Sequence, residues 1–218
     1  MGANMRIDIY SDTVCPWCFL GKRRFESALA MRPQYEPHVR WRPFELNPDL
    51  PAEGVDRASF LATRSADQER FKQGEIALMD LGKAAGINFR FDLIQRLPNT
   101  RRSHLLIAHA AWQGRQGEVK ERIMRAYFQE GCDIGDIDEL VRLGAEAGLD
   151  AADCRQALVL RSGQNAIVAA ERHAAAVGLT AVPAFIFNGE YAVAGAQESD
   201  RFIVAMDQVA KSDANRER

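Results

Sequence analysis

Two cysteines separated by two residues, Cys15-Pro16-Trp17-Cys18, are the part of this sequence with the clearest chemical potential. They follow a short apolar segment, Ile7-Asp8-Ile9-Tyr10, and they precede a run with helical spacing of its apolar residues. A strand, a Cys-x-x-Cys pair and a helix in this order are typical of a thiol–disulfide exchange site. A helix N-terminus favours negative charge, so we expect Cys15 to be the nucleophile, with a lowered pKa. Cys18 is then the thiol that attacks the mixed disulfide and releases the substrate.

A zinc site is the alternative use of the same pair. Structural zinc takes four ligands, usually a second pair of cysteines or histidines at short spacing. The two remaining cysteines, Cys132 and Cys154, stand far apart, and no histidine pair lies beside a cysteine. The sequence therefore predicts redox chemistry and no metal, and we expect Cys132 and Cys154 to be buried or inert.

Composition and charge narrow the class of protein. The chain has 218 residues, of which 47% are hydrophobic, enough for a sizeable core. A net charge of −2 at pH 7 leaves no basic excess for nucleic acid or an anionic membrane. The N-terminal residues lack the apolar region of a signal peptide, and no apolar run is long enough to span a bilayer. We therefore expect a cytoplasmic protein, where disulfides are mostly transient and catalytic, with a mature form that has lost its signal as the alternative.

The elements around the pair suggest a small sheet interrupted by helices. Strands are predicted over residues 6–10 and 38–46, and a helix over 16–31 with Pro16 at its first position. From about residue 56 to 178 the pattern is almost entirely helical, apart from a short extended stretch at 87–91. Two apolar strands then flank Asn188-Gly189, the strongest signal for a two-residue hairpin, and a last helix covers 198–210. The prediction is an α/β domain in two parts, 1–50 and 179–218, with a helical insertion domain at 51–178.

Four motifs in this order resemble the DsbA-like thioredoxin-fold oxidoreductases, and most closely their FrnE-like branch. The residues that carry the resemblance are Ser11-Asp12-Thr13-Val14-Cys15-Pro16-Trp17-Cys18, Pro98-Asn99-Thr100 followed by His104, Ala126-Tyr127-Phe128-Gln129-Glu130, and Val182-Pro183-Ala184-Phe185-Ile186-Phe187-Asn188. The glutathione-dependent 2-hydroxychromene-2-carboxylate isomerases share this architecture, but their first active-site position is typically serine. A cysteine at both positions favours redox chemistry over glutathione-assisted isomerisation.

The resemblance implies a thioredoxin fold with a large all-helical insertion and a specific substrate site. It implies a cis Val182–Pro183 bond that faces the cysteines, with the Val182 backbone pairing with an extended substrate. The expected substrate-binding residues are Pro183, Val182, Trp17, Pro16, Asn99 and His104. Each also has a purely structural alternative: a trans proline at a strand start, a packed tryptophan, a helix cap and an ordinary helix residue. Two basic runs, Lys22-Arg23-Arg24 and Arg101-Arg102, are expected to be solvated helix faces, with attraction of an anionic thiol as the alternative.

The expected function is a thiol–disulfide oxidoreductase that reduces or isomerises protein or small-thiol disulfides. It needs no cofactor, although glutathione is a candidate redox co-substrate, and it acts as a monomer or a homodimer. The alternative is a glutathione-dependent isomerase or transferase acting on a small aromatic substrate. A non-enzymatic holdase is a third class, and it would have no need of two thiols.

Overall fold

The computed structural model describes residues 3–63 and 68–216, and its centre is a four-stranded sheet. The strands of the sheet are β1 (Ala3–Ser11), β2 (Tyr35–Pro43), β5 (Ala184–Phe187) and β6 (Tyr191–Ala194), in the order β2-β1-β5-β6. β1 is parallel to β2 and antiparallel to β5, and β5 is antiparallel to β6. The parallel pair is joined by helix α1 (Pro16–Ala30). This strand–helix–strand unit followed by a hairpin is the thioredoxin topology, as predicted.

One face of the sheet is apolar because alternate residues of its strands are apolar. Ile7, Ile9, Phe185 and Phe187 are fully buried. They pack under α1 and under the last helix, α9 (Ser199–Arg216). Aromatic rings tie the layers together: the ring centroids of Phe185 and Phe202 are 4.6 Å apart, and those of Phe25 and Phe202 are 5.6 Å apart. Edge contacts of this kind fix α1, and with it the start of α1, against the sheet.

The β5–β6 turn differs in one detail from the predicted two-residue hairpin. Asn188 and Gly189 both have positive φ, at 48° and 77°, and Glu190 donates its amide to the Phe187 carbonyl at 3.0 Å. However, Phe187 pairs with Tyr191, so the connection has three residues. Two hydrogen bonds hold Asn188 against β1. Its side-chain oxygen accepts from the Arg6 backbone amide at 2.7 Å, and its backbone amide donates to the Arg6 carbonyl at 2.8 Å. Glu190 is the extra residue that this anchoring leaves in the turn.

Seven helices occupy the described part of the chain between β2 and β5. They are α2 (Arg57–Ala62), α3 (Gln68–Ala84), α4 (Arg101–Ala111), α5 (Gln116–Arg125), α6 (Ile137–Glu146), α7 (Ala151–Val159) and α8 (Gln164–Ala176). α5 continues into a π-helical turn, Ala126–Glu130. α6 and α7 are capped by aspartates, because the side chains of Asp136 and Asp150 each accept an amide of the first turn.

One feature of this segment was not predicted, and another needs a physical reason. Residues 87–91, the stretch expected to be extended, belong to no strand; Ile87 and Phe89 are buried, and a 3-10 turn begins at Phe91. A two-residue ladder of β3 (Val55–Asp56) with β4 (Arg96–Leu97) lies outside every predicted strand. Burial of an aromatic cluster, rather than strand pairing, therefore holds residues 87–91 in place.

The hydrophobic core runs without interruption from the sheet into the helical segment. Phe19 on α1 packs its ring against Phe89 and Phe128, with centroids 6.1 Å and 6.0 Å away. The helical segment and α1 therefore share one core. The exact domain boundaries, at residues 50 and 179, stay predictions. In the described part of the chain, no helix combines the length and apolar character needed to cross a membrane.

Candidate active site

Cys15 stands at the junction of the loop after β1 and helix α1. Its backbone is extended (φ −92°, ψ 109°), and it is the N-cap of α1, with Pro16 as the first helical residue. The Cys18 amide donates to the Cys15 sulfur at 3.3 Å. Proline suits this position because the first helical N–H has no partner within the helix. The local sequence thus places the Cys15 sulfur at the positive end of the helix dipole.

The loop before β5 closes over the other side of Cys15. The Cys15 sulfur lies 3.8 Å from the Val182 carbonyl oxygen, and the Val182–Pro183 peptide bond is cis. Gly21, a turn further along α1 than Cys18, lets the proline approach: a Cβ there would lie 3.0 Å from Cγ of Pro183. The structure therefore brings Cys15, Cys18, Val182 and Pro183 together.

The other two residues of the Cys-x-x-Cys segment differ in exposure. Pro16 is half-buried, whereas Trp17 is 41% exposed, next to the two cysteines. An exposed aromatic beside a reactive thiol offers a contact surface for an incoming chain.

The two thiols titrate as a pair, because they share a hydrogen bond and both are buried. The hydrogen bond to Cys18 and burial raise the pKa of Cys15 above its ordinary value. Burial opposes the ionisation of Cys18, but the hydrogen bond with Cys15 and the Lys120 ammonium together lower the pKa of Cys18. The predicted lowering of the pKa of Cys15 is therefore wrong for the reduced pair. The first negative charge therefore lies on Cys18, and Cys15 keeps the shared proton.

A buried aspartate fixes the loop that leads to Cys15. Asp12 accepts the amides of Thr13 and Leu46, each at 2.7 Å, and the Nε2–H of His104 at 3.2 Å. Burial opposes its ionisation, yet these hydrogen bonds, led by that of His104, lower the pKa of Asp12. Burial also lowers the pKa of His104, so this imidazole is neutral at pH 7 and donates from Nε2.

Helix α4 makes a second link to the same loop. The hydroxyls of Thr13 and Ser103 are 2.8 Å apart, and both side chains are buried. The helical segment thus positions the active-site loop as well as sharing its core.

The two insertion residues predicted at the substrate cleft both have structural partners. His104 is 3% exposed, and its Nε2 is hydrogen-bonded to the Asp12 carboxylate. Asn99 donates to the Leu50 carbonyl at 2.8 Å and accepts the Arg101 amide at 3.0 Å, so it ties the preceding loop to the start of α4. Contact of either residue with a substrate stays a prediction.

The expectation of solvated basic helix faces is wrong for Lys22 and for Arg101. Lys22 is 3% exposed, and its ammonium pairs with Glu26 at 2.5 Å and with Glu121 of α5 at 2.7 Å. Arg101 pairs with the buried Glu45 at 2.6 Å. Burial raises the pKa of Glu45 to about 7, although Arg101 acts in the opposite direction.

Sequence reasoning missed Asp12 as a site residue, and it missed Lys120. Lys120 is 1% exposed, and its ammonium lies 5.3 Å from the ring centroid of Trp41. The sequence pattern could have indicated that Lys120 is buried. It lies within the buried stripe of α5, which is otherwise formed by Val119, Ile123 and Met124. Among the residues described, no group of three or more metal-ligating side chains is placed to hold an ion.

Comparisons with known proteins agree on one family. A family model described as a DSBA-like thioredoxin domain matches residues 6–207. The uncharacterized protein YwbO of Bacillus subtilis (strain 168) is 32% identical over 208 residues, which cover 95% of this chain and 98% of YwbO. The crystal structure of the probable DsbA oxidoreductase SCO1869 from Streptomyces coelicolor superimposes with a TM-score of 0.86 and 33% identity, covering 94% of this chain and 89% of that one.

More distant structures share the fold alone. The cytosolic disulfide reductase DsbM from Pseudomonas aeruginosa gives a TM-score of 0.64 at 19% identity, covering 97% of this chain and 98% of that one. A 2-hydroxychromene-2-carboxylate isomerase gives 0.67 at 17% identity, covering 96% and 98%. The architecture therefore occurs with both kinds of chemistry, and the residues at the site must distinguish them.

Proposed function

Because this chain belongs to the DSBA-like thioredoxin family of disulfide oxidoreductases, we propose that it reduces or isomerises protein disulfides through Cys15 and Cys18. One observation carries the proposal. The Cys15 sulfur lies between the start of α1 and the Val182 carbonyl, with the second thiol hydrogen-bonded to it. A glutathione-assisted isomerase has no need of that second thiol.

In the first step of the proposed reaction, the Cys15 sulfur attacks one sulfur of the client disulfide. The S–S bond of the client breaks, and one client sulfur leaves as a thiolate. The proton of Cys15 passes to Cys18, which holds the negative charge of the reduced pair. Cys18 thus serves as the base for its neighbour.

In the second step, the Cys18 sulfur attacks Cys15 in the mixed disulfide. The Cys15–Cys18 disulfide forms, and the second client sulfur leaves with the proton that Cys18 had received. The client gains two electrons and the protein loses two. A small thiol such as glutathione is the proposed source of the electrons that restore the dithiol.

The proposed client is an extended chain. Next to Cys15 the Val182 backbone is available to pair with a strand of the client, in the manner of β-augmentation. Trp17 offers exposed aromatic surface beside the same sulfur. We propose that the protein works in the cytoplasm, without a cofactor, as a monomer or a homodimer.

The test is the trapping of mixed disulfides. Cys18→Ser should attack disulfide-bonded clients without releasing them, so covalent complexes that dithiothreitol dissolves should accumulate. Cys15→Ser should trap nothing, and Cys132→Ser, which removes a half-buried thiol away from the pair, should behave as the wild type. If Cys18→Ser trapped no protein but isomerised a small aromatic substrate with glutathione, the isomerase alternative would replace this proposal.

A further inference from the structure

The face of the sheet that points away from α1 and α9 borders a cavity of about 560 Å³. The side chains of Arg6, Asp8 and Tyr10 line this cavity, and they alternate along β1 with the core residues that pack under α1. Another wall is formed by the end of α8 and by residues 177–181, which follow it. The two cysteines of the proposed redox pair are not among the residues that line the cavity. Its volume is in the range of sites for small organic molecules.

The strand register divides the floor of this cavity into a polar half and an apolar half. Two neighbouring rows of side chains cross the sheet on this face: Arg40, Asp8, Ile186 and Ala192, and then Arg42, Tyr10, Ala184 and Ala194. Each row is polar on β2 and β1 and apolar on β5 and β6. Three of the four apolar side chains are alanines, which leave open the space that larger side chains would fill. A mostly apolar floor beside a few polar groups is typical of a small-molecule site.

Arg42 is the arginine of this cavity that lacks a carboxylate partner. Arg40 donates to both oxygens of Asp8, at 2.8 Å and 2.9 Å, and Arg6 pairs with the same carboxylate at 3.3 Å. Arg42 is half-buried, and among the residues that the structure describes no carboxylate lies within salt-bridge distance of its guanidinium. The fork of N–H donors on a guanidinium matches the two oxygens of a carboxylate. Arg42 is therefore the group of this cavity that is available for an anionic ligand.

The charges around the cavity limit the charge of that ligand. Three arginines and two carboxylates, those of Asp8 and Glu190, line it, so one positive charge is in excess. The remaining ionisable side chain of α8 in the lining, His173, has its Nδ1 2.7 Å from the Tyr10 hydroxyl. The C-terminal end of α8 lies in the same wall, and the C-terminal end of a helix carries a partial negative charge. A monoanion therefore matches the cavity better than a phosphate dianion.

We propose that this cavity binds a small organic carboxylate with an apolar body. Arg42 pairs with the carboxylate, and the apolar body covers the alanines of β5 and β6. The site lies beside the segment that leads to the cis Val182–Pro183 bond, because Thr180 and Ala181 line it. It contains neither of the reacting sulfurs, so it is a second site, additional to the proposed disulfide exchange and independent of it.

The test is a titration with naphthalene-2-carboxylate, followed by calorimetry and by amide NMR spectra of the wild-type protein. A ligand of this size that fills the cavity should bind with a Kd of about 1 mM or tighter. The largest changes in amide chemical shift should lie on Ala184, Ala192 and residues 177–181. Largest changes around Trp17 and Cys15 would place the ligand at the active site and overturn the proposal, as would the absence of binding.

Three variants test the two halves of the site. Arg42→Met should weaken binding at least about tenfold, because it removes a charge-assisted hydrogen-bonded pair and keeps a long side chain. Ala192→Leu should weaken binding by a similar factor, since the larger side chain fills the apolar floor. Arg201→Met removes an exposed arginine of α9, on the other side of the sheet, and should bind as the wild type does. Equal binding by wild type and Arg42→Met would overturn the proposal; if Arg42→Met does not fold, Ala192→Leu and the ligand series below decide.

Two further probes test the class of ligand. Naphthalene-2-carboxamide has the same shape without the charge, and it should bind the wild type at least about tenfold more weakly. Naphthalen-2-yl phosphate should bind no more tightly than the carboxylate, because only one positive charge is in excess. A carboxamide that binds as well as the carboxylate would show that Arg42 does not recognise an anion, and a phosphate that binds more tightly would replace the carboxylate as the ligand; either result overturns the proposal. None of these measurements involves thiol exchange, so the proposed function is tested separately.

Discussion

Replacing Lys120 by methionine should stabilise the folded protein at pH 7. Burial lowers the pKa of Lys120 from 10.5 to about 8, so the folded chain releases a proton in this range that the unfolded chain still holds. At ~1.4 kcal/mol per pH unit, the buried ammonium therefore reduces the free energy of unfolding by about 3 kcal/mol at pH 7. Methionine has a similar length and no charge, so the variant should recover most of this free energy.

The pH dependence of the gain identifies its cause. The unfolded chain binds more protons than the folded one between about pH 8 and 10.5, so wild-type stability rises through this window. The advantage of Lys120→Met should accordingly fall to about 1 kcal/mol at pH 10. Urea unfolding at both pH values, with the Cys15–Cys18 disulfide closed so that neither sulfur titrates, measures the difference. Closing the disulfide removes the thiol charges that raise the pKa of Lys120, so the gain at pH 7 should be at least about 3 kcal/mol. A variant less stable than wild type at pH 7, or an equal gain at both pH values, would refute the reasoning.

Three further predictions concern the site and its supports. Gly21→Ala should slow reaction with a protein disulfide several-fold, because its Cβ would lie 3.0 Å from Pro183; the rate of insulin reduction measures this. The control Gly74→Ala, which has open space around it, should add up to ~1 kcal/mol to the free energy of unfolding measured in urea. Iodoacetamide at pH 7 should label Cys15 well before the more exposed Cys132, because Cys15 can pass its proton to the neighbouring Cys18 as it reacts, whereas burial and Glu139 raise the pKa of Cys132 to about 12 and no such base is beside it; mass spectrometry of peptides over time gives the order. Asp12→Asn should reduce the free energy of unfolding at pH 7 by about 2 kcal/mol, because one buried amide loses its acceptor. This loss should shrink as the pH falls below 3.8, the pKa of a free aspartate, because wild-type Asp12 then also becomes protonated. The exposed Asp49→Asn is the control in the same urea titrations.

The parts of the fold that depend on local pattern could be predicted from the sequence. The strands β1 and β2 and the position of Pro16 at the start of α1 depend on neighbouring residues only. The position of Val182-Pro183 beside the cysteines came from the resemblance, because it joins segments that are far apart in the chain.

The electrostatics of the site could not be predicted in this way. Asp12 and His104 are hydrogen-bonded across the fold, and the buried position of Lys120 depends on how α5 packs against α4 and β2. The direction of the thiol pKa shifts was therefore missed: the helix N-terminus favours a charge on Cys15, but the Lys120 cation lies where it favours Cys18. In the same way, ion pairs with Glu121 of α5 hold Lys22 buried and Arg23 half-buried, and these pairs join residues far apart in the chain.

The central claim is that Cys15 and Cys18 form a redox couple that exchanges with other thiols. The most direct measurement is the fraction of oxidised protein across a series of glutathione redox buffers, quenched with acid and read by mass spectrometry after alkylation. The account predicts a single two-electron transition in wild type and in a Cys132→Ser, Cys154→Ser double variant, and its loss in Cys15→Ser and in Cys18→Ser. A wild-type protein that keeps both thiols free in every buffer, or a transition that survives Cys15→Ser, would contradict it.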